Sequence, residues 1–267
     1  MNHPGLLTQA DGLAYEIVNP DGKNPLVLVC EHAANRIPEQ LDNLGLDAQQ
    51  LVSHVAWDPG ARDLATRLSE ALDAPLVAAR FSRLVYDCNR PPTAPSAMPE
   101  ATEVCTIPGN IGIDAAQRQA RTDAIYHPFH RALAELIQNK RRQGLDPVVV
   151  TVHSFTPVYH GQKRRVEVGL LHDADDRLSR ALKAGLLQDS KYRVELNEPY
   201  GPRDGVLHCL EKHLEDGPFP YVMIEVRNDL LADENHRETI FSLLNDNIPG
   251  AVSSLGSTIA NNLPETE

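Results

Sequence analysis

Apolar residues along this chain fall into short unbroken runs separated by stretches with helical spacing. The run Leu26-Val27-Leu28-Val29-Cys30 has no polar position, the pattern of a strand buried on both faces between helices. Similar runs predict strands at 76–81, 148–152, 166–171 and 221–226, with shorter ones at 13–18 and 192–195. Between them, the sequence 46–55 has helical spacing. A second helix opens at Asp58-Pro59-Gly60 and runs through Leu64, Leu68 and Leu72. The longest helix is expected from Asp114 to about Gln143, kinked at Pro128 and closed by Gly144. Further helices are expected at 175–187, 206–215 and 232–247, with a last one from Ala251 and a frayed end. Strands alternating with helices define an α/β protein, a three-layer α/β/α arrangement around a mixed, mainly parallel sheet.

Two segments interrupt this rhythm. Residues 91–112 hold Pro91, Pro92, Pro95, Pro99, Pro108, Gly109 and Gly112, which predicts a long loop of the kind that covers a binding site. The stretch 197–205, Asn-Glu-Pro-Tyr-Gly-Pro-Arg-Asp-Gly, is a second turn-rich loop dense in polar groups.

A length of 267 residues is compatible with one domain spanning 1–267. The formal charge of −12 argues against a nucleic-acid or anionic-membrane partner, either of which needs a basic face. No apolar run approaches the roughly 18 residues that cross a bilayer, and residues 1–21 lack the layout of a secretory signal. The expected location is the cytoplasm. Cys30, Cys88, Cys105 and Cys209 lie far apart, with no C-x-x-C pair, and are expected to be reduced.

Three apolar runs end in side chains able to bind metal or move protons: Glu31-His32 after 26–30, His153 after 148–152, and Glu225 after 221–224. In α/β sheets ligands bind beyond the carboxyl ends of strands, so these side chains point to one site. Hydrolytic zinc sites use three protein ligands from His, Asp and Glu and leave one position open. His32 and His153 supply two. The third is a carboxylate, for which Asp58 competes with a role as helix N-cap, and Glu31 and Asn35 are the alternatives. Glu225, an acid at the end of a buried strand, reads either as a general base or as the partner of Arg227 or Arg90. Arg83, Asn89 and Arg90 cluster within 83–91, where an arginine fork suits a substrate carboxylate, or else a surface ion pair.

Seven segments, in order, carry a resemblance: C-E-H-A-x-N-R-I-P at 30–38, D-x-G-A at 58–61, R-L-V-x-D-x-N-R-P at 83–91, I-P-G-N at 107–110, V-H-S-F-T-P at 152–157, N-E-P-Y at 197–200 and I-E-V-R-N-D-L at 224–230. Together they resemble the N-formylglutamate amidohydrolase family, in its broad predicted-amidohydrolase branch. The resemblance implies a phosphorylase/hydrolase-like fold akin to zinc carboxypeptidases and aspartoacylases. It implies zinc (Zn2+) as cofactor, with His32 and His153 as ligands, and Glu225 as catalytic base. It also implies Asn89 and Arg90 as substrate-binding residues, to which the residues themselves add Arg83 and Arg227 as candidates. A carboxypeptidase-like H-x-x-E would place glutamate at position 35. The chain has Asn35 there, so the remaining ligand role passes to Asp58. The implied activity is hydrolysis of the amide of a small N-formyl or N-acyl amino acid, with a small-molecule carboxylate as partner and loop 91–112 closing over it.

Two rivals remain at the level of sequence. A carboxylate-binding protein that keeps the fold but has lost its metal would hold His32 and His153 more than about 7 Å apart, too far for bonds near 2 Å to one ion. A serine hydrolase through Ser154 lacks the G-x-S-x-G elbow.

Overall fold

Buried runs and their alternation build a seven-stranded sheet in the computed structural model, which describes residues 5–256. Its strands are β1 (Tyr15–Val18), β2 (Leu26–Cys30), β3 (Leu76–Ala79), β4 (Val148–Phe155), β7 (Val168–Leu171), β8 (Val194–Leu196) and β9 (Tyr221–Arg227). Strands β5 (Val158–Tyr159) and β6 (Gln162–Lys163) form a separate small hairpin. The sheet order is β1-β3-β2-β4-β9-β7-β8. Strands β3, β2, β4 and β9 pair in parallel, β1 joins β3 antiparallel, and β7 reverses direction against β9 while pairing in parallel with β8.

Each central strand is apolar on both faces because helices cover both. Leu26, Leu28, Val150, Val222 and Ile224 pack with helices α2 (Ala61–Ala71), α5 (Arg177–Asp189) and α8 (Glu234–Ser253). Val27, Val29, Val149 and Met223 pack on the opposite face with helix α4 (His127–Arg142) and helix α6 (His208–Leu214). The smaller helices are α1 (Ala48–Val52), α3 (Ala115–Arg121) and α7 (Asp229–Ala232). The α/β/α layering and the mixed, mainly parallel sheet agree with the expectation from the sequence.

Several boundaries differ, each for a local reason. Strand β4 continues to Phe155 because β9 pairs with it out to Phe155↔Arg227, so His153 lies within a strand and faces Glu225 across the pair. The 114–143 helix is three pieces: α3, capped reciprocally by Asp114 and Gln117, a π-helical turn at Thr122–Tyr126, and α4. The π turn precedes Pro128, which has no N–H to give to the preceding turn, and takes up the irregularity expected there as a kink. The two expected C-terminal helices are one, α8, which runs through Pro249 to Ser253. The expected frayed end beyond residue 256 lies outside the described residues. The 153–165 segment, expected as plain loop, contains the β5–β6 hairpin.

Segment 91–112 is irregular but anchored. Asn110 is buried and donates to the carbonyls of Leu84 and Pro99, while Arg121 donates to its side-chain oxygen. Ala97, Met98 and Ile107 are buried in the core.

Candidate active site

The carboxyl ends of β2, β4 and β9 are neighbours, so their terminal side chains converge. Glu31 and His32 follow β2 directly, and His153 and Glu225 stand side by side in the β4–β9 register on the face that carries Val149 and Met223. Asp58 arrives from the turn before α2. That helix starts at Ala61, with Gly60 as its N-cap in the left-handed region (φ 83°) and no side-chain cap. The Asp58 carboxylate is therefore free to accept from the Ser154 N–H at 3.2 Å and to face both imidazoles. A Cβ at Gly60 would lie 2.5 Å from Leu231 Cβ, so both its φ and its packing demand glycine.

His32 Nδ1 and His153 Nδ1 lie 3.4 and 3.0 Å from the same Asp58 Oδ2. The far nitrogen of each ring is backed by another acid: His32 Nε2 is 2.8 Å from Asp87 Oδ1, and His153 Nε2 is 2.9 Å from Glu31 Oε2. The ring centroids are 4.9 Å apart, well inside the limit set by the metal-free rival. Arg83 donates to Asp58 Oδ1 and Asp87 Oδ2.

Glu31, Asp58, Asp87 and Glu225 are all buried, and Arg83 is the arginine paired with two of them. Such an excess of buried negative charge calls for cations. In the protein alone the imidazoles supply them. Burial opposes charge on His32, as does Arg83, but Asp87 and Asp58 outweigh both and raise its pKa. Burial likewise opposes charge on His153, yet Glu31 and Asp58 hold its pKa well above the usual value. Asp58 resists its own burial through His32 and His153 and stays far below the usual carboxylate range. Burial pushes the Glu225 carboxyl up to about 7, against the pull of His153.

The donor set fits a divalent metal. Ligand atoms of His32, Asp58 and His153 all lie within 4.8 Å of one another, and the buried His32 Nδ1 has no hydrogen-bond partner. Two bonds of about 2.0–2.1 Å at a tetrahedral angle separate ligand atoms by about 3.3–3.4 Å, close to the separations found here. The Asp87 hydrogen bond gives His32 the carboxylate backing typical of metal-binding imidazoles and leaves its Nδ1 for the ion, while Glu31 Oε2 stands 2.9 Å from His153 Nε2 without hydrogen-bond geometry. Asn35 is outside this set, since its side chain donates to the Leu51 carbonyl.

A cavity of about 590 Å3 opens over the cluster, lined among others by His32, Asp58, His153, Glu225, Arg83 and Arg90. Arg90 gives one nitrogen, Nη1, to the carbonyls of Asn89 and Gly205; its other nitrogens have no partner among the described residues. Asn89 is buried and committed to backbone, donating to Val206 O and accepting from Cys209 N. Arg227 does not line the cavity; it pairs with Asp229 and Glu167. Ser154 Oγ donates to Pro59 O rather than to a base, which leaves the serine-hydrolase rival without an activated nucleophile. Segment 91–112 lines the cavity through residues such as Ser96, Pro99 and Glu103.

Three contributions escaped the sequence reading. Asp87 follows the apolar run Leu84-Val85-Tyr86, the same pattern as the run before His32, which is the signal in the sequence for its place at the site. Glu31, an alternative for the third ligand, is placed with Oε2 2.9 Å from His153 Nε2. Tyr200 lines the cavity from the 197–205 loop, its pKa raised by burial and by nearby Glu225. That loop comes close because Gly169, opposite Glu225 in β7, has no side chain: a Cβ there would sit 2.0 Å from Glu198 O.

Fold and site together define an α/β protein with two buried histidines and a buried aspartate, able to hold a metal ion, at the ends of its parallel strands. Residues 24–232 match the family model described as N-formylglutamate amidohydrolase. The chain belongs to that family and is an amidohydrolase. It is similar to a gene product of Agrobacterium tumefaciens of known crystal structure, at 50% identity and a TM-score of 0.90, covering 94% of this chain and 100% of that one. It is also similar in fold to the N-formylglutamate amidohydrolase of Ralstonia eutropha JMP134, at 20% identity and a TM-score of 0.62, covering 90% and 97%. None of the curated proteins compared with the chain matches it. No helix among the described residues is long and apolar enough to cross a membrane.

Proposed function

We propose that the protein is a zinc-dependent amidohydrolase that cleaves the amide of a small N-formyl or N-acyl amino acid, N-formylglutamate being the model substrate. The observation that carries this reading is the meeting of His32 Nδ1 and His153 Nδ1 on one Asp58 oxygen beneath an open cavity. His32, Asp58 and His153 would hold the ion. Zinc, when bound, supplies polarisation of the scissile carbonyl and lowers the pKa of water toward neutrality.

The remaining work falls to side chains. Glu225, buried beside His153 with its carboxyl pushed up to about 7, is suited to take a proton from the attacking water and hand it to the leaving nitrogen. Arg90 presents its uncommitted nitrogens to the substrate carboxylate. Asn89 acts through Arg90 as a positioning residue, because it fixes the 206–209 backbone next to the Gly205 carbonyl that holds the guanidinium. Arg83 balances Asp58 and Asp87 at the cavity wall. A cytoplasmic location accords with four unpaired thiols.

Elemental analysis of the purified protein, with hydrolysis of a panel of N-formyl amino acids, tests the reading. Zinc near one equivalent, activity lost on chelation and both lost in His153→Ala are expected. Full activity after chelation or in His153→Ala would overturn the metal mechanism.

A further inference from the structure

Beyond Arg90 the cleft continues. A second cavity of about 510 Å3 shares Arg90, Tyr159, Tyr200 and Val206 with the first and adds Lys163, Arg164 and Asp204. The first cavity is already within the range of about 300–1,000 Å3 that houses a drug-sized ligand, so an N-formyl amino acid leaves the second one free.

The second chamber gathers cations that lack acid partners. Among the described residues no carboxylate oxygen lies within 4.0 Å of a nitrogen of Arg90, Lys163 or Arg164, whereas Arg83 and Arg227, the nearest arginines of the site and of β9, are each paired with two acids. In a chain of net charge −12, with carboxylates in excess, three cations without acid partners lining one cleft that opens onto the active-site cavity make it locally positive. Arg164 is also held in a fixed pose. Its Cζ lies 5.5, 4.5 and 4.7 Å from the ring centroids of Phe155, Tyr159 and Tyr200, and Nη1 donates to Thr156 O. Three rings around the guanidinium fix its position by cation–π attraction, and it has no acid partner among the described residues. The one acid of the chamber, Asp204, accepts from Gly201 N–H at 2.8 Å.

We propose that this chamber binds a second carboxylate, carried on a peptide-like extension of the substrate, with Arg164 as its principal contact and Lys163 as its supplement. The direction of the extension rests on the proposed reaction: with the scissile amide at the His32–Asp58–His153 cluster and Arg90 at the junction of the cavities, the chain continues on the amine side. The substrates then extend from single N-formyl amino acids to N-acylated acidic dipeptides, which gain the second contact.

Calorimetric binding to the full-length protein tests this without any turnover. The probes are glutamyl dipeptides ending in glutamate, in glutamine or in glutamine amide, which lower the charge of the extension stepwise. The glutamate probe is expected to bind about ten- to hundredfold more tightly than the glutamine amide. In Arg164→Gln that ratio falls to within about threefold, and in Lys163→Gln it falls part of the way. Lys163 is exposed on β6, so its replacement keeps the test available should Arg164→Gln fail to fold. Equal binding of the three probes by the wild type, or a ratio preserved in both variants, overturns the proposal. Absence of hydrolysis across the formyl panel would instead overturn the reaction proposed above and leave these binding ratios untouched.

Discussion

Asp58 shows what a single position can conceal. Its sequence context, an acid before Pro-Gly and an apolar helix, supports helix capping as well as metal ligation, and nothing local separates the two. Capping is excluded by Gly60, which adopts a left-handed conformation and starts α2 without help from a side chain, and the carboxylate is oriented instead by the N–H of Ser154, 96 residues on. Glu225 was easier to read because a carboxylate at the end of a buried strand always needs an explanation. Its replacement in Glu225→Gln is expected to lower kcat by about 10²–10⁴ while metal content stays at the wild-type level, checked by elemental analysis of the assayed sample. Asp87 acts on the other side of His32. Asp87→Ala removes the group that orients that imidazole, and metal affinity measured by chelator competition is expected to fall about 10–100-fold.

At the scale of elements, the strands and most helices were legible because burial on both faces and helical spacing leave a direct imprint on the order of apolar residues. What was not legible depends on partners distant in sequence. Nothing within 148–155 says that β9 will extend the strand past His153, and nothing within 158–163 announces a hairpin whose four strand residues are exposed. Loop 197–205 was recognised as polar, but its approach to the site is decided at Gly169 in another element. Gly169→Ala puts a methyl group into the space held by the Glu198 carbonyl, a backbone atom that cannot rotate away. We expect a stability loss of about 1–3 kcal/mol in urea titrations. A loss of turnover larger than that of a surface control is also expected, since Tyr200 moves with the loop. An alanine variant that matches the wild type in both measurements would show that the close approach is dispensable.

At the scale of the whole molecule, two apolar layers enclose titratable groups whose partners differ, and acid acts on them in different windows. Next to the active site, His130 Nε2 lies 2.9 Å from the Cys88 carbonyl and His130 Nδ1 lies 3.0 Å from His213 Nε2. Donation from Nε2 to the carbonyl and neutrality of the buried His130 ring make Nδ1 an acceptor, so His213 donates to it, and burial keeps both rings neutral near pH 7. Burial, with Lys212 and His208 adding to it and Asp216 opposing, brings the His213 pKa down to about 4, and burial lowers His130 well below its usual value. In the unfolded chain both titrate near 6.5. Between about pH 6.5 and 4 the unfolded state therefore binds more protons, and stability falls as pH falls through that window. For His213 alone the loss reaches about 2–3 kcal/mol at the lower end. The carboxylates held low, Asp58 and Asp87, contribute stability that is present above their unfolded pKa and lost only below it, at more acid pH. His32 and His153, whose pKa values are raised, act with the opposite sign, since their contribution is fully present at low pH and lost as pH rises through their folded values. Comparison with His213→Gln separates these effects, because glutamine keeps a donor for His130 but does not titrate. Urea unfolding followed by the fluorescence of Trp57, the one tryptophan of the chain, is expected to give a shallower decline between pH 6.5 and 4.5 for the variant than for the wild type. Parallel declines in the two proteins would mean that His213 is already protonated in the native state, donating to His130 as an imidazolium, and that it contributes nothing to the loss of stability in this window.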